Sequence, residues 1–358
     1  MKVALITRST FFTIPGGDTI QISYTEKHLQ SLGIDASILL THDTINYSKY
    51  DLLHFFNIVR PADIMYHIKK SAKPFVVSPN LVRYGDYDQR FRKGFSGLML
   101  GFLEENSIEY VKTIARWLNG SDGLKSIQYL WKGQKKAIQQ ILSKTYLVLP
   151  NSEMENTMLR ELYGIAPEYV VIPNGFDTNL FVYDSTIPKD DHLILCVARI
   201  EGIKNQINLI KALNNTKFRL LIIGSYAPNQ KSYYDACKSL AASNISFIDH
   251  ISQEKLVHYY QKAKVHILPS WFETCGLSTL EAAAMGCNVI VTDKGYTREY
   301  FGDYALYCNP ASPESILDAV NISSQKEPDN LLRTKILNNY TWQLSALRTA
   351  EAYNQILL

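Results

Sequence analysis

Val265-His266-Ile267-Leu268-Pro269-Ser270-Trp271-Phe272-Glu273-Thr274-Cys275-Gly276-Leu277-Ser278-Thr279-Leu280-Glu281-Ala282-Ala283-Ala284-Met285 reads as strand, loop and helix in a single pass. Residues 265–268 form an apolar run of buried-strand length, and Pro269 interrupts it. A glycine-containing turn then feeds an alanine-rich helix. At such a junction the free backbone N–H groups and the positive end of the helix dipole converge, ready for an anion or a sugar hydroxyl. Glu273 falls on the loop and Glu281 about one turn inside the helix. Two carboxylates spaced in this way can hold different parts of one long ligand.

The same strand-then-helix grammar extends outward in both directions. Residues 3–6 read as a strand, Gly16-Gly17 as a turn, and 19–32 as an amphipathic helix closed by Gly33. Strands follow at 36–40, 52–56, 75–78 and 147–150. The last leads into Asn151-Ser152, a cap for a helix over 153–163. The pattern then restarts with strands at 193–198, 219–223, 245–248 and 288–292, separated by helices at 207–213, 233–240 and 254–263. Such alternation predicts doubly wound parallel sheets. Pro173-Asn174-Gly175-Phe176-Asp177 and the polar stretch to Asp191 mark a linker. The expected division is therefore residues 1–172 and 173–340, two facing Rossmann-like halves with ligands in the cleft between them. The segment 341–358 is expected to cross back to the first half.

Residues 85–145 depart from the alternation, being rich in aromatics and long helical patterns. Within 124–144 lie Lys125, Lys132, Lys135, Lys136 and Lys144 without an acid, beside Leu130, Trp131, Ile138, Ile141 and Leu142. This reads as a basic helix whose apolar face packs on its own domain, or else lies on an anionic bilayer surface.

Composition narrows the function classes. The 358 residues are 46% hydrophobic and 20% charged, enough for two domains with full cores. A formal net charge of +3 is too small to call for nucleic acid, and the lysine-rich segment carries no nucleic-acid reading motif. Five cysteines, an odd number without a CxxC pair, point to a reduced cytoplasmic protein. No apolar run reaches 18 residues, and the apolar start is too short for a signal peptide, so neither a span nor a leader is expected.

Chemistry-bearing residues cluster in the second half. Arg199 is delivered at the carboxyl end of a strand, and Lys204 follows around a turn. Two fixed cations at the mouth of a parallel sheet suit a diphosphate. Gly16 and Gly17 let backbone amides approach a phosphate or sugar closely. Their spacing is not GxGxxG, so no dinucleotide fingerprint is present.

Together these residues resemble the retaining GT-B glycosyltransferases of glycosyltransferase family 4, over about residues 170–320 and more weakly before that. Glu273 and Glu281 match the family's E-x7-E motif, Arg199 and Lys204 its basic pair, Pro15-Gly16-Gly17 its glycine loop, and Pro173–Asp177 its PNGxD hinge. The resemblance implies a GT-B fold whose first domain takes the acceptor and whose second takes a UDP-, GDP- or dTDP-sugar. It implies catalytic roles for Glu273, Arg199 and Lys204. Donor binding is then expected from Gly16, Gly17, Asn174, Cys275, Gly276, Leu277, Ser278, Glu281, His250 and Ile251. Neither a metal nor another cofactor is implied.

One departure concerns the acceptor side, where Asn80 stands in place of the histidine found in many members. His54, at a neighbouring strand end, is the other acceptor-side candidate. The expected activity is transfer of a hexose-type sugar, with retention, to a saccharide or lipid-linked acceptor in bacterial surface polysaccharide assembly, either in the cytoplasm or peripherally at the inner face of the plasma membrane. Rival readings are a phosphorylase or epimerase of the same fold, or a nucleotide-sugar-binding protein without turnover.

Overall fold

The computed structural model describes residues 1–83, 105–118, 126, 128–328 and 330–357. The chain forms two compact units, Met1–Pro173 with Trp342–Leu358, and Asn174–Thr341.

The first unit is built on a five-stranded parallel sheet in the order β2-β1-β3-β4-β5. Its strands are β1 (Lys2–Thr7), β2 (Asp35–Leu40), β3 (Leu52–Phe56), β4 (Phe75–Ser78) and β5 (Leu147–Val148). Five of the six β1 residues are buried, because helices cover both sheet faces and leave no solvent side to encode. Alternate β1 residues serve opposite faces: Ala4 and Ile6 join one apolar cluster, Val3 and Leu5 the other.

Helix α1 (Gly17–Ser31) follows β1, and α2 (Pro61–Lys70) follows β3. Helix α3 (Glu105–Leu118) is followed by α4 (Gln128–Leu142) and α5 (Glu153–Tyr163). At the start of α5 the Ser152 hydroxyl accepts from the Glu155 amide, as the cap reading expects.

The lysine-rich segment is not one amphipathic helix. Gly133, at φ 71° and ψ 173°, interrupts α4 and separates Trp131 and Lys132 from Lys135 and Lys136. Ile138, Ile141 and Leu142 are buried in the unit's own core with Tyr129 and Ala137. The face offered above for a bilayer is therefore consumed by packing, while Trp131 stays 88% exposed. Lys125 and residues 85–104 lie outside the described residues. No described helix is long and apolar enough to cross a membrane.

The second unit carries a six-stranded parallel sheet in the order β11-β10-β9-β6-β7-β8. Its strands are β6 (Asp190–Val197), β7 (Arg219–Ile223), β8 (Ile245–Ile248), β9 (Ala263–Leu268), β10 (Asn288–Thr292) and β11 (Leu306–Cys308). Helices α6 (Gln206–Leu213), α7 (Lys231–Leu240), α8 (Gln253–Lys262) and α9 (Leu277–Ala284) alternate with the strands. They are followed by α10 (Thr297–Phe301), α11 (Pro313–Gln325) and α12 (Asn330–Asn339). β6 and β9 pair at the sheet centre, and every residue of β9 is buried, so the loop after it starts from a fixed strand. All five cysteines are free and buried, acting as small apolar side chains.

The last helix, α13 (Trp342–Leu357), belongs to the first unit. Ala350, Ala352 and Tyr353 enter the cluster that holds Val3 and Leu5, and Trp342 stacks on Tyr24 with ring centres 5.4 Å apart.

Candidate functional site

The loop from β9 to α9 is fixed before any ligand is considered. Pro269 ends β9, and the Asn205 side chain ties the loop down by donating to the carbonyls of Pro269 (3.0 Å) and Pro310 (2.7 Å). Residue 273 then makes a one-residue parallel bridge with Gly295, its amide donating to Lys294 O and its carbonyl accepting from Tyr296 N, each at 3.0 Å. Gly295 sits at φ 105°, and a Cβ there would lie 2.0 Å from the Glu273 carbonyl oxygen. Glycine at 295 is what allows Glu273 its place.

The Glu273 carboxylate is turned inward and is 6% exposed. One oxygen receives Lys204 Nζ at 2.6 Å and the Ser270 hydroxyl at 3.1 Å. Burial alone would pull the Lys204 ammonium down. The charge and hydrogen bond of Glu273, with Glu201 adding to them, more than offset this and raise it above the ordinary lysine value. Arg199 is more open, its guanidinium 2.9 Å from Glu201. Read from sequence, Glu273 and Lys204 serve separate parts of a ligand; in the structure they are partners.

Gly276, at φ 69°, turns the chain into α9. Its carbonyl accepts from the amides of Thr279 (2.8 Å) and Leu280 (3.1 Å), leaving the Leu277 and Ser278 amides as the helix's open donors. The Ser278 hydroxyl is committed elsewhere: it donates to the Val197 carbonyl at 2.7 Å and pins the helix start to the carboxyl end of β6. Leu277 is half-buried against the core. Cys275 is buried, and burial pushes its thiol up to about 12, so it stays protonated and inert as a nucleophile. Asn174 braces this turn, with Nδ2 3.4 Å from Cys275 Sγ and its amide donating to the Tyr300 hydroxyl.

Glu281 lies on the second turn of α9, 6% exposed. Tyr260 donates to one oxygen at 2.9 Å and Gln253 to the other at 3.1 Å. Burial raises the carboxyl to about 7, and these two hydrogen bonds hold it from going further. Ile251 packs half-buried on the adjoining core, two residues before Gln253. His250 is exposed, its amide donating to the Asp249 carboxylate at 2.7 Å, and no described contact joins its ring to this group.

Four residues of this arrangement carry no signal in the sequence reading. Ser270 stands inside the diagnostic stretch and is recognisable only once Glu273 is seen to turn inward. Gln253, Tyr260 and Gly295 reach the two glutamates from other elements, and no spacing rule connects them.

The first-unit candidates have their own surroundings within that unit. His54 is 2% exposed on β3, with Nδ1 2.7 Å from the Tyr353 hydroxyl and Nε2 2.8 Å from the Ser78 hydroxyl. Burial lowers its pKa to about 3. Both ring nitrogens are thus engaged within the unit, and the ring clamps α13 onto the sheet.

Asn80 adopts a left-handed backbone at φ 47°, and its Oδ1 accepts from Asn151 Nδ2 at 3.1 Å. Asn151 in turn accepts from Gln21 at 3.0 Å. The Gly16 amide is bonded by the Thr19 hydroxyl at 3.1 Å, so it is not an open donor; the glycine loop is shaped by Arg8, which grips Asp18, Thr10 and Ile14. Gly17 begins α1.

These two parallel-sheet units are shared with solved glycosyltransferase structures. Sucrose-phosphate synthase from Thermosynechococcus elongatus superposes with a TM-score of 0.76 at 16% identity, covering 99% of both chains. HepE from Anabaena, solved with UDP, superposes at 0.70 and 14% identity over 99% of this chain and 100% of that one. Likeness at such identity establishes the fold, which is GT-B. Residues 179–338, which include Lys204, Glu273 and Glu281, match the family of glycosyl transferases group 1.

Among curated relatives, a D-inositol 3-phosphate glycosyltransferase from Acidothermus cellulolyticus is 28% identical over 171 residues, 41% of this chain and 38% of the relative. A glycogen synthase from Mycobacterium tuberculosis is 26% identical over 214 residues, 55% of this chain and 51% of the relative. The chain thus spans about two-fifths to one half of the curated relatives it matches.

Proposed function

We propose that this chain is a retaining glycosyltransferase that moves a hexose-type sugar from a nucleotide-sugar to a hydroxyl of a saccharide or lipid-linked saccharide. The observation that carries this reading is the grouping, at the carboxyl ends of the central strands β6 and β9 of the second unit, of the Lys204–Glu273 pair, the open amides of Leu277 and Ser278, and Glu281. The solved complexes of HepE with UDP and with UDP-glucose support a nucleotide-sugar donor.

In this reading the helix amides and Lys204 receive the diphosphate, Arg199 reinforces them, and Glu281 accepts the ribose hydroxyls. Glu273, released from Lys204 as the diphosphate takes the ammonium, turns to the hydroxyls of the transferred sugar. The bond from the anomeric carbon to the phosphate oxygen breaks, and the acceptor oxygen bonds to that carbon on the same face. The acceptor proton passes to the departing diphosphate. Lys204 and Arg199 stabilise the charge developing there, the interaction that strengthens most in the transition state. No step calls on a metal or another cofactor.

A role in capsule or O-antigen assembly on the cytoplasmic side is the setting this chemistry fits. Among the described residues of the first unit, exposed Trp131 beside Lys132 is the feature that supports a membrane-linked acceptor. The test is a thermal-shift panel of UDP-, GDP- and dTDP-sugars followed by turnover with the one that stabilises. Arg199→Ala is expected to lower turnover at least tenfold at saturating donor, consistent with loss of about 1.4 kcal/mol or more of transition-state stabilisation. Unchanged turnover in that variant would sink the assignment.

A further inference from the structure

Glu281 differs from Glu273 in what holds it. Glu273 is paired with a cation, whereas among the described residues the Glu281 carboxyl is touched by two neutral donors, Tyr260 Oη at 2.9 Å and Gln253 Nε2 at 3.1 Å. Both come from α8, a helix otherwise remote in sequence from the glycine turn. The charged groups on the elements around α9 are occupied elsewhere. Arg333, on α12, donates to the Ala284 carbonyl, and Lys189 donates to Met285, both at the far end of α9. Lys204 is engaged with Glu273.

Three further buried titratable groups near Tyr260 are neutral. His266, on β9, packs its ring against Tyr260 at 6.0 Å and is buried, which lowers its pKa to about 3. The buried thiols Cys196 and Cys287 are held above their ordinary value by desolvation. Tyr260 itself is fully buried, and desolvation beside Glu281 keeps its hydroxyl protonated and able to donate.

A carboxylate in this position can accept from two further donors, one at each oxygen, and it can do so in a fixed orientation because each oxygen is already anchored once. We propose that Tyr260 and Gln253 are positioning residues of the donor site, orienting the Glu281 carboxyl and holding it ionised for the ribose diol, so that affinity for ribonucleotides rises with pH. The inference rests on the donor-binding reading above. The direction follows from the chemistry: a protonated carboxyl loses acceptor capacity and presents a competing donor, so the diol loses its partner as the site takes up a proton. Loss of either neutral donor leaves burial less opposed and moves the change to higher pH.

The experiment compares Kd for UDP and for 2′,3′-dideoxyuridine diphosphate by calorimetry from pH 5.5 to 8.5, on the full chain. Taking the ratio of the two cancels titration of the phosphate, which they share. The ratio is expected to rise about tenfold or more in favour of UDP across the range, the worth of a hydrogen bond to a charged acceptor. In Tyr260→Phe the midpoint is expected to move up by about one pH unit. Gln253→Leu, at the start of α8, moves it in the same direction and serves if the core variant folds poorly. Arg199→Ala weakens both nucleotides together and leaves the midpoint in place. A ratio flat with pH, or an unmoved midpoint in both α8 variants, overturns the positioning role. Failure of either nucleotide to bind at any pH, with GDP and dTDP also silent, overturns instead the donor-binding reading and the inference with it.

Discussion

The Lys204–Glu273 pair offers the most demanding test of the geometry. With 2.6 Å between Nζ and Oε2, an effective dielectric near 20 gives an attraction of about 6 kcal/mol before desolvation is charged against it. Both side chains are largely buried, at 19% and 8% exposed, so the pair's net worth is far smaller. Loss of one partner is expected to cost about 3–5 kcal/mol because the other charge stays buried. Lys204→Met should therefore leave Glu273 with only the Ser270 hydroxyl and destabilise the second unit by that amount. Glu273→Gln should cost somewhat less, because lysine has a flexible stem and can reach toward solvent.

The double variant Lys204→Met/Glu273→Gln should recover about 2–3 kcal/mol of the summed losses. Urea unfolding followed by tryptophan fluorescence reads this, since Trp271 is buried and its amide donates to Ile203 O at 2.8 Å, one residue from Lys204. Lys204 is raised above 10.5, so the pair's contribution is fully present below that pH and is lost as pH climbs through the higher folded value. There is also a functional signature: Glu273→Gln frees Lys204, so a nucleoside diphosphate should bind at least as tightly as to the parent while turnover falls. Additive single losses, within about 0.5 kcal/mol, or weaker diphosphate binding in Glu273→Gln would refute the reasoning.

Three further outcomes follow from single contacts. The Glu281 carboxyl is raised from 4.5 to about 7, so it costs nothing below about 4.5, an amount that grows between 4.5 and 7, and a constant amount above about 7. Glu281→Gln should accordingly match the parent near pH 4.5 and exceed its stability at pH 8.5 by about 2–3 kcal/mol, measured as Tm against pH. Gly295→Ala drives a Cβ to within 2.0 Å of the Glu273 carbonyl, and the loss should reach about 3 kcal/mol with turnover falling alongside, read by thermal melts and donor turnover. Tyr353→Phe removes the hydroxyl on His54 Nδ1 and should cost about 1–2 kcal/mol in denaturant midpoint without altering donor KM.

What the chain discloses of its fold follows from burial. Strands such as Leu52–Phe56, Phe75–Ser78, Arg219–Ile223, Ile245–Ile248 and Asn288–Thr292 read directly because both faces of each sheet are covered and apolar runs have no competing explanation. β11 (Leu306–Cys308) is only three residues at a sheet edge, too short to make a run. Helix α2, with His67 and Asp63 among its buried residues, carries polar groups where an apolar stripe would be sought. The kink at Gly133 was equally hidden, since a glycine within lysine-rich helical composition is silent about φ until packing decides it.

The candidate site divides along the same physical line. Glu273, Gly276 and Glu281 are neighbours in sequence, and a strand–turn–helix junction dictates how they are displayed, so local chemistry reveals them. Their state of charge is set by Lys204, Ser270, Tyr260 and Gln253, which arrive through tertiary contacts. Spacing alone makes the two carboxylates look equivalent, yet their surroundings separate them: one is compensated by a cation, the other by two neutral dipoles. A compensated carboxylate is released only by a ligand that offers the lysine another anion, whereas a dipole-held carboxylate responds to the proton. Under the donor-binding reading proposed above, two glutamates eight positions apart thereby answer to different parts of a single ligand: Glu273 to the transferred sugar once the diphosphate takes Lys204, and Glu281 to the neutral ribose diol.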